Sequence, residues 1–278
     1  MLERIIEFLK VLFLGLVEGI TEWLPISSTG HMLLVDELFT LKENEAFKEM
    51  FFIVIQLGAI LAVVLLFWEK MFPFQLKDKS QSVVRKDVFS LWFKVVVACV
   101  PGAVVTLLFD DFIDAHLHTP TVIALALIVY GVAFLFIEKG NSARSPRVTS
   151  LSGISYKDAI LIGLFQVLSI IPGTSRSGST IVGALILGIS RVAAAEFTFF
   201  LAVPVMLGYS GLKLLKFGFA FTLNQTLILL VGCLVAFLTS LFVIRFLMDF
   251  IKKHSFAAFG WYRIALGALV LLYFNLLV

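Results

Sequence analysis

Glu18 and Glu22 lie four residues apart in the stretch Glu18-Gly-Ile-Thr-Glu22-Trp-Leu-Pro-Ile-Ser-Ser-Thr-Gly-His31. On a helix this spacing puts both carboxylates on one face. Such a pair offers hard oxygen ligands for a divalent cation, Mg²⁺ or Ca²⁺. It can equally serve as a proton relay or as a coupled acid and base. Pro25 breaks or kinks the helix, and three hydroxyls follow, Ser27, Ser28 and Thr29, then Gly30 and His31. In a second helix starting near Ser28, His31 stacks on the same face as Ser28. A hydroxyl beside a basic group is the pattern of an activated nucleophile. Ser28 is the first choice of attacking group; Ser27, His31 itself and a metal-bound water are the alternatives.

A second stretch, Pro172-Gly-Thr-Ser-Arg-Ser-Gly-Ser-Thr180, adds what the first lacks. Arg176 is an always-charged fork shaped for phosphate or carboxylate. Glycines and small hydroxyl residues let backbone N–H groups approach an anion closely. Ser175, Ser177 and Thr180 stand where a helix resumes after Pro172-Gly173, either as caps or as hydroxyls on the substrate. Ser27 and Thr29 complete the expected substrate contacts, whereas Ser179 points to a different helical face. An ion pair between Arg176 and Glu18 or Glu22 is compatible with the clamp, opening as substrate arrives. Acids, hydroxyls and a histidine in one stretch, with an anion clamp in the other, point to chemistry on a phosphate.

These polar groups are embedded in apolar sequence. A carboxylate at bilayer depth costs roughly 2.5–3.5 kcal/mol on insertion scales, which packing alone does not justify. The 278 residues are 60% hydrophobic and 15% charged, with mean hydropathy +1.03. Soluble domains are about 45–50% apolar and about 25% charged, so this is an integral membrane protein. A net charge of +3 is too small to argue for nucleic acid and is read as topology-setting. Cys99 and Cys233 lie in apolar runs and serve packing rather than a disulfide or metal cluster. His116, His118 and His254 read as solvated loop residues, and Gln56 and Glu196 as hydrogen-bonded scaffold. The start, Met1-Leu2-Glu3-Arg4, lacks the basic region and cleavage site of a removable signal peptide.

The elements that must position the two stretches follow from the apolar runs. Residues 5–24 form a helix, Pro25–Gly30 a break and His31–Phe39 a short second helix. Neither piece spans comfortably, so a re-entrant hairpin is expected. Phe47–Phe67, Phe89–Phe109 and Pro120–Ile137 read as spans. The second half repeats the plan: Gly163-Leu-Phe-Gln166 echoes Gly15-Leu-Val-Glu18, and Pro172-Gly-Thr-Ser175 echoes Pro25-Ile-Ser-Ser28. Glu196-Phe-Thr-Phe-Phe200 echoes Glu49-Met-Phe-Phe-Ile53, and Leu223–Met248 and Phe259–Val278 complete three more spans. The fold class is therefore all-α integral membrane, six transmembrane helices plus two re-entrant hairpins. It is a single domain of two inverted repeats, about 1–140 and 155–278.

Lys70, Lys77, Lys79, Arg85 and Lys86 follow the first span, Lys139, Arg144, Arg147 and Lys157 the third, and Lys252 and Lys253 the fifth. These sides are expected to be cytoplasmic. The loop Asp110–Thr119, with three aspartates, and both termini then face outside; Lys213 and Lys216 run against the rule.

Both polar stretches together resemble the signature motifs of the undecaprenyl-pyrophosphate phosphatase family of the bacitracin-resistance type, and the resemblance extends over essentially the whole chain, including Ser190-Arg-Val-Ala-Ala-Ala-Glu196. The resemblance implies a bacterial inner-membrane enzyme that removes the terminal phosphate of C55 isoprenyl pyrophosphate, recycling the lipid carrier of peptidoglycan synthesis. It also implies dependence on a divalent cation and assigns catalysis to Glu18, Glu22, Ser28, His31 and Arg176, with Glu18 and Glu22 as metal ligands. The expected partners are the lipid substrate and the bilayer, with a homodimer admitted and nucleic acid not. The mouth of the site is expected to face the periplasm. A polyprenyl-phosphate flippase, alone or in addition to hydrolysis, is the alternative, since inverted repeats with broken helices are also transporter architecture. Phosphate release by the purified protein separates the two.

Overall fold

Runs of about 20 apolar residues give helices long enough to cross a bilayer, and the helices of this chain follow its runs. The computed structural model describes residues 2–75, 83–142 and 144–276. In chain order the helices are α1 (Leu2–Thr21), α2 (Ser28–Leu38), α3 (Glu45–Leu66), α4 (Trp68–Met71), α5 (Lys86–His116), α6 (Pro120–Asn141), α7 (Tyr156–Val167), α8 (Arg176–Ile186), α9 (Arg191–Phe217), α10 (Leu223–Lys253) and α11 (Ala257–Leu276). Helices make up 80% of the described residues, and no strand longer than an isolated bridge forms among them. Six helices, α3, α5, α6, α9, α10 and α11, are long and apolar enough to cross a membrane. The chain is an all-helical, multi-pass membrane protein with the six spans expected.

Some boundaries differ from the reading of the apolar runs. The first helix ends at Thr21 rather than at residue 24. The next begins at Ser28, as the stacking of Ser28 and His31 requires, rather than at His31, because Ser27 caps it and accepts from Gly30 N at 3.3 Å. The acidic segment expected to be an outer loop from Asp110 is instead helical as far as His116. Lys77 and Lys79 of the first basic loop lie outside the described residues.

The two broken elements fold back on themselves. At one end of the molecule, Glu7 Oε1 of α1 accepts from Lys42 N at 2.6 Å and Lys10 Nζ donates to Thr40 O, closing α1 and α2 together. At the other end, Arg147 binds Asp158 at the start of α7 and donates to Leu187 O just past α8. α10 connects the two ends: its start binds Glu43 through Asn224 and Gln225, and its far end leads to Phe256, whose N–H meets Glu138. α2 and α8 have 11 residues each, about 16 Å of rise, and run from the breaks toward opposite ends. The breaks therefore meet near the middle.

Their local geometry matches. Ser27 (φ 73°) and Ser175 (φ 72°) are the non-glycine residues with positive φ among the described residues. Each caps its helix by accepting from the third residue of that helix, Gly30 N or Gly178 N. A non-glycine residue in this region is strained by about 1–3 kcal/mol and persists only where its surroundings hold it. Here a cap bond holds each, and Ser27 is also fully buried.

Close backbone contacts set the frame around the breaks. Without a hydrophobic drive between helices in lipid, small residues let backbones approach. α1 packs on α10, and α7 on α5. A methyl on Gly19 would stand 2.8 Å from Ala236 O, and one on Gly163 would collide with Ala98 O. Between α6 and α11, methyls on Gly131 and Gly260 would each reach about 2.7–2.8 Å from the other's carbonyl oxygen. α6 backs both breaks. The positive-φ Gly173 abuts the Ile123 carbonyl, and Gly30 faces Leu127 one turn on.

Candidate active site

α1 ends at Thr21, so Glu22 falls in the turn that follows it, although its N–H still closes on Glu18 O at 3.0 Å. Freed from the helix, Glu22 reaches across to the second break. Its Oε1 accepts from Arg176 Nη2 at 2.9 Å, and its Oε2 accepts from Ser28 Oγ at 3.0 Å. The ion pair is almost fully sequestered, with the two side chains 11% and 8% exposed. Arg176 Nη1 also donates to the Thr198 carbonyl of α9 at 3.2 Å. Buried Trp23, next in sequence to Glu22, stacks edge-on against Phe199 at 5.3 Å and so fixes the turn against α9.

Glu18 is 1% exposed, and its Oε1 has no hydrogen-bond partner. An orphaned buried carboxylate oxygen is costly, and a cation is one group that satisfies it. Among the described residues no set of three or more His, Cys, Asp or Glu gathers around one point. An ion such as Mg²⁺ is commonly held by one or two carboxylates and completed by water and substrate phosphates. Glu18 Oε1 is open to such a contact, whereas both oxygens of Glu22 are engaged by Arg176 and Ser28.

His31 does not meet Ser28. Its Nδ1 is 2.7 Å from the Ser27 carbonyl and its Nε2 2.7 Å from the Tyr262 hydroxyl. A carbonyl only accepts, so Nδ1 carries a proton, and the Tyr262 hydroxyl donates to Nε2 when the ring is neutral and accepts from it when the ring is charged. The two rings also lie parallel, 5.6 Å apart with 5° between their planes. Both ring nitrogens of His31 are thus engaged, one by a backbone carbonyl and the other by a tyrosine.

The remaining predicted contacts divide. Ser177 Oγ donates to Glu22 O and shares a bond with Ser175 Oγ, so both lie in the cluster. Thr180 is buried and engaged with Arg176 O and the Thr198 hydroxyl, behind Arg176. Ser27 is fully buried as a cap, and Thr29 is exposed on α2. Glu196 pairs with Lys70, as suits a scaffold residue.

Two neighbours on α11 were absent from the sequence reading. Besides Tyr262, Arg263 is fully buried and donates to Pro25 O at 3.2 Å, to Gly173 O at 2.8 Å and to Thr174 O at 2.9 Å. Its guanidinium stands over the Tyr130 ring, 5.6 Å from the centroid. One side chain therefore bolts the two breaks together. Its signal was present in the sequence: a lone arginine inside an apolar span is a functional flag by itself.

Two helix N-termini, a guanidinium and a hydroxyl converge where the breaks meet inside a multi-pass membrane protein, an arrangement whose chemistry suits an anion. The chain belongs to the family described as bacitracin resistance protein BacA, whose model matches residues 11–269. It is 70% identical over 267 residues to the undecaprenyl-diphosphatase of Enterococcus faecalis, covering 96% of this chain and 97% of that protein. It is 57% identical over 271 residues to the undecaprenyl-diphosphatase of Lachnoclostridium phytofermentans, covering 98% of each. With that of Desulfitobacterium hafniense it shares 56% identity over 272 residues, 98% of this chain and 97% of the relative.

Proposed function

We propose that this chain hydrolyses undecaprenyl pyrophosphate to undecaprenyl phosphate and inorganic phosphate. The relatives' names support hydrolysis and lend nothing to the flippase alternative. The observation that carries the chemistry is Glu22, which holds Arg176 with one oxygen and Ser28 with the other where the breaks meet. Arg176 leaves Glu22 for the oxygens of the terminal phosphate, which it matches as a fork. Ser28 Oγ attacks the terminal phosphorus, and the proton passes to Glu22 Oε2. The bond to the bridging oxygen breaks, and undecaprenyl phosphate departs with the electron pair. Water then attacks the phosphoserine, its proton passing through the Tyr262 hydroxyl to His31 Nε2 and afterwards to solvent. The bond between phosphorus and Ser28 Oγ breaks, and Glu22 returns its proton to Oγ as phosphate leaves. A divalent cation held by Glu18 and Glu22, when bound, supplies charge neutralisation for the transferred phosphoryl.

Kinetics of Ser28→Ala, His31→Ala and the double variant test this reading, with mass spectrometry for a phosphoserine. Ser28→Ala is expected to be inactive, His31→Ala to accumulate phosphoenzyme, and the double variant to be no worse than Ser28→Ala. Substantial turnover in Ser28→Ala with His31→Ala dead reduces the serine to positioning.

The matched breaks and the opposite directions of their hairpins support two inverted repeats with re-entrant hairpins in a bacterial inner membrane. The basic loops then lie inside, and the termini and the mouth of the site lie outside. Cysteine labelling at the termini and beside Arg85 tests the orientation; termini that label from inside reverse it.

A further inference from the structure

Resting on the pyrophosphatase reading, we propose that a groove between α1, α10 and α11 holds the first isoprene units of the substrate. The groove is open along one side and has a volume of about 380 Å³, within the roughly 300–1,000 Å³ of small-ligand sites. That suits a few isoprene units and not an entire C55 chain, the remainder of which belongs in the bilayer. Three of its lining residues, Ile20, Leu24 and Ile26, alternate along the chain with the polar residues of the site. The segment that presents Glu18, Glu22 and Ser28 to the phosphate thus presents its apolar residues to the groove. Phe246 forms an opposing wall, and Ala258 and Tyr262, one turn apart on α11, form another. The lining is otherwise apolar, and its tyrosine hydroxyl is committed to His31 at 2.7 Å. The groove therefore reaches His31, and its Leu24 and Ile26 lie between Glu22 and Ser28 along the chain. An anionic head with an apolar tail requires that continuity, and a free phosphate compound does not. Phe246 and Tyr262 are 57% and 46% exposed, so the groove opens sideways and lets a long chain leave without threading.

The test uses full-length protein in detergent with dimethylallyl, farnesyl and undecaprenyl pyrophosphate, reading phosphate release. In the wild type, kcat/KM is expected to rise from the dimethylallyl to the farnesyl substrate and to change little beyond it, because only the first units are held. Ala258→Trp, at an exposed position of α11, fills the groove. It is expected to reduce the farnesyl-to-dimethylallyl ratio of kcat/KM roughly tenfold, about the affinity of two buried methylenes. Phe246→Ala, on the opposing wall, is expected to lower the same ratio by loss of contact. Losses that are equal for all three substrates, or a ratio unmoved by both variants, overturn the proposal and leave the groove as ordinary contact with bilayer lipid. Failure of the wild type to release phosphate from any of the three overturns the pyrophosphatase reading instead.

Discussion

Replacing Arg263 by lysine keeps the charge and removes the bridge. The guanidinium reaches three carbonyls on two separate breaks, Pro25 O on one side and Gly173 O and Thr174 O on the other. An ammonium is a point donor on a flexible stem and cannot span both sides. Lysine that keeps one of these bonds loses two, and bonds to charged groups are worth about 1.5–3 kcal/mol each. The gross loss is therefore about 3–6 kcal/mol, partly offset because lysine deprotonates readily when buried. If about 3 kcal/mol of this is expressed in the transition state, kcat falls about 100-fold. That is also the scale expected for a displacement of about 1 Å between groups that must act together. The assay is phosphate release by the purified protein, with thermal unfolding measured in the same detergent. A positioning role predicts that kcat drops far more than KM rises, and that Arg263→Met is no better than Arg263→Lys. Turnover within threefold of wild type in the lysine variant refutes the bridge as a positioning device. A kcat that recovers fully on cooling, in step with the unfolding midpoint, makes Arg263 a matter of stability alone.

Glu18→Gln is expected to cut activity strongly and to move the midpoint of a Mg²⁺ or Ca²⁺ titration upward, because it changes the carboxylate whose Oε1 is without a partner; an unmoved midpoint assigns Glu18 to proton transfer. Arg176→Lys is expected to lose most activity for want of the planar fork, and near-normal turnover would reduce Arg176 to a point charge. At the edge of the bundle, burial raises the Asp158 pKa, but the Ser155 N–H and hydroxyl and the Arg147 guanidinium outweigh it and hold the carboxyl below its usual value. A depressed carboxyl contributes stability that is present above its unfolded pKa, about 3.9, and is lost as pH falls through the folded value. The unfolding midpoint of the wild type is therefore expected to fall more steeply below pH about 4 than that of Asp158→Asn; parallel curves would show that Asp158 adds no acid sensitivity.

The spans were legible because long apolar runs have few other uses, and the breaks because proline and glycine interrupt them beside polar residues. The Arg176–Glu22 pair was foreseen as one of two options, since opposite charges at depth must find each other. The partner of Ser28 was not. A spacing of three residues favours His31 on a regular helix, but α1 stops at Thr21 and leaves Glu22 free to swing toward the hydroxyl. Tyr262 is 231 residues from His31, and no local pattern reports a contact at that separation. Arg263 carried its own flag as a charge inside a span, yet its acceptors are backbone carbonyls, which have no signature in side-chain chemistry.

Synthesis order gives α11 a further consequence. The Gly173 carbonyl precedes Arg263 by 90 residues, about 5–18 s of elongation at ~5–20 residues per second. Throughout that interval both breaks exist without the cation that joins them, and His31 exists without its tyrosine. A nascent chain therefore carries Glu18, Glu22, Ser28 and Arg176 well before Arg263 joins the breaks that bear them. The join is completed only as one late helix inserts, so a chain stalled ahead of Tyr262 is expected to hold these groups in the bilayer without the bridge that aligns them.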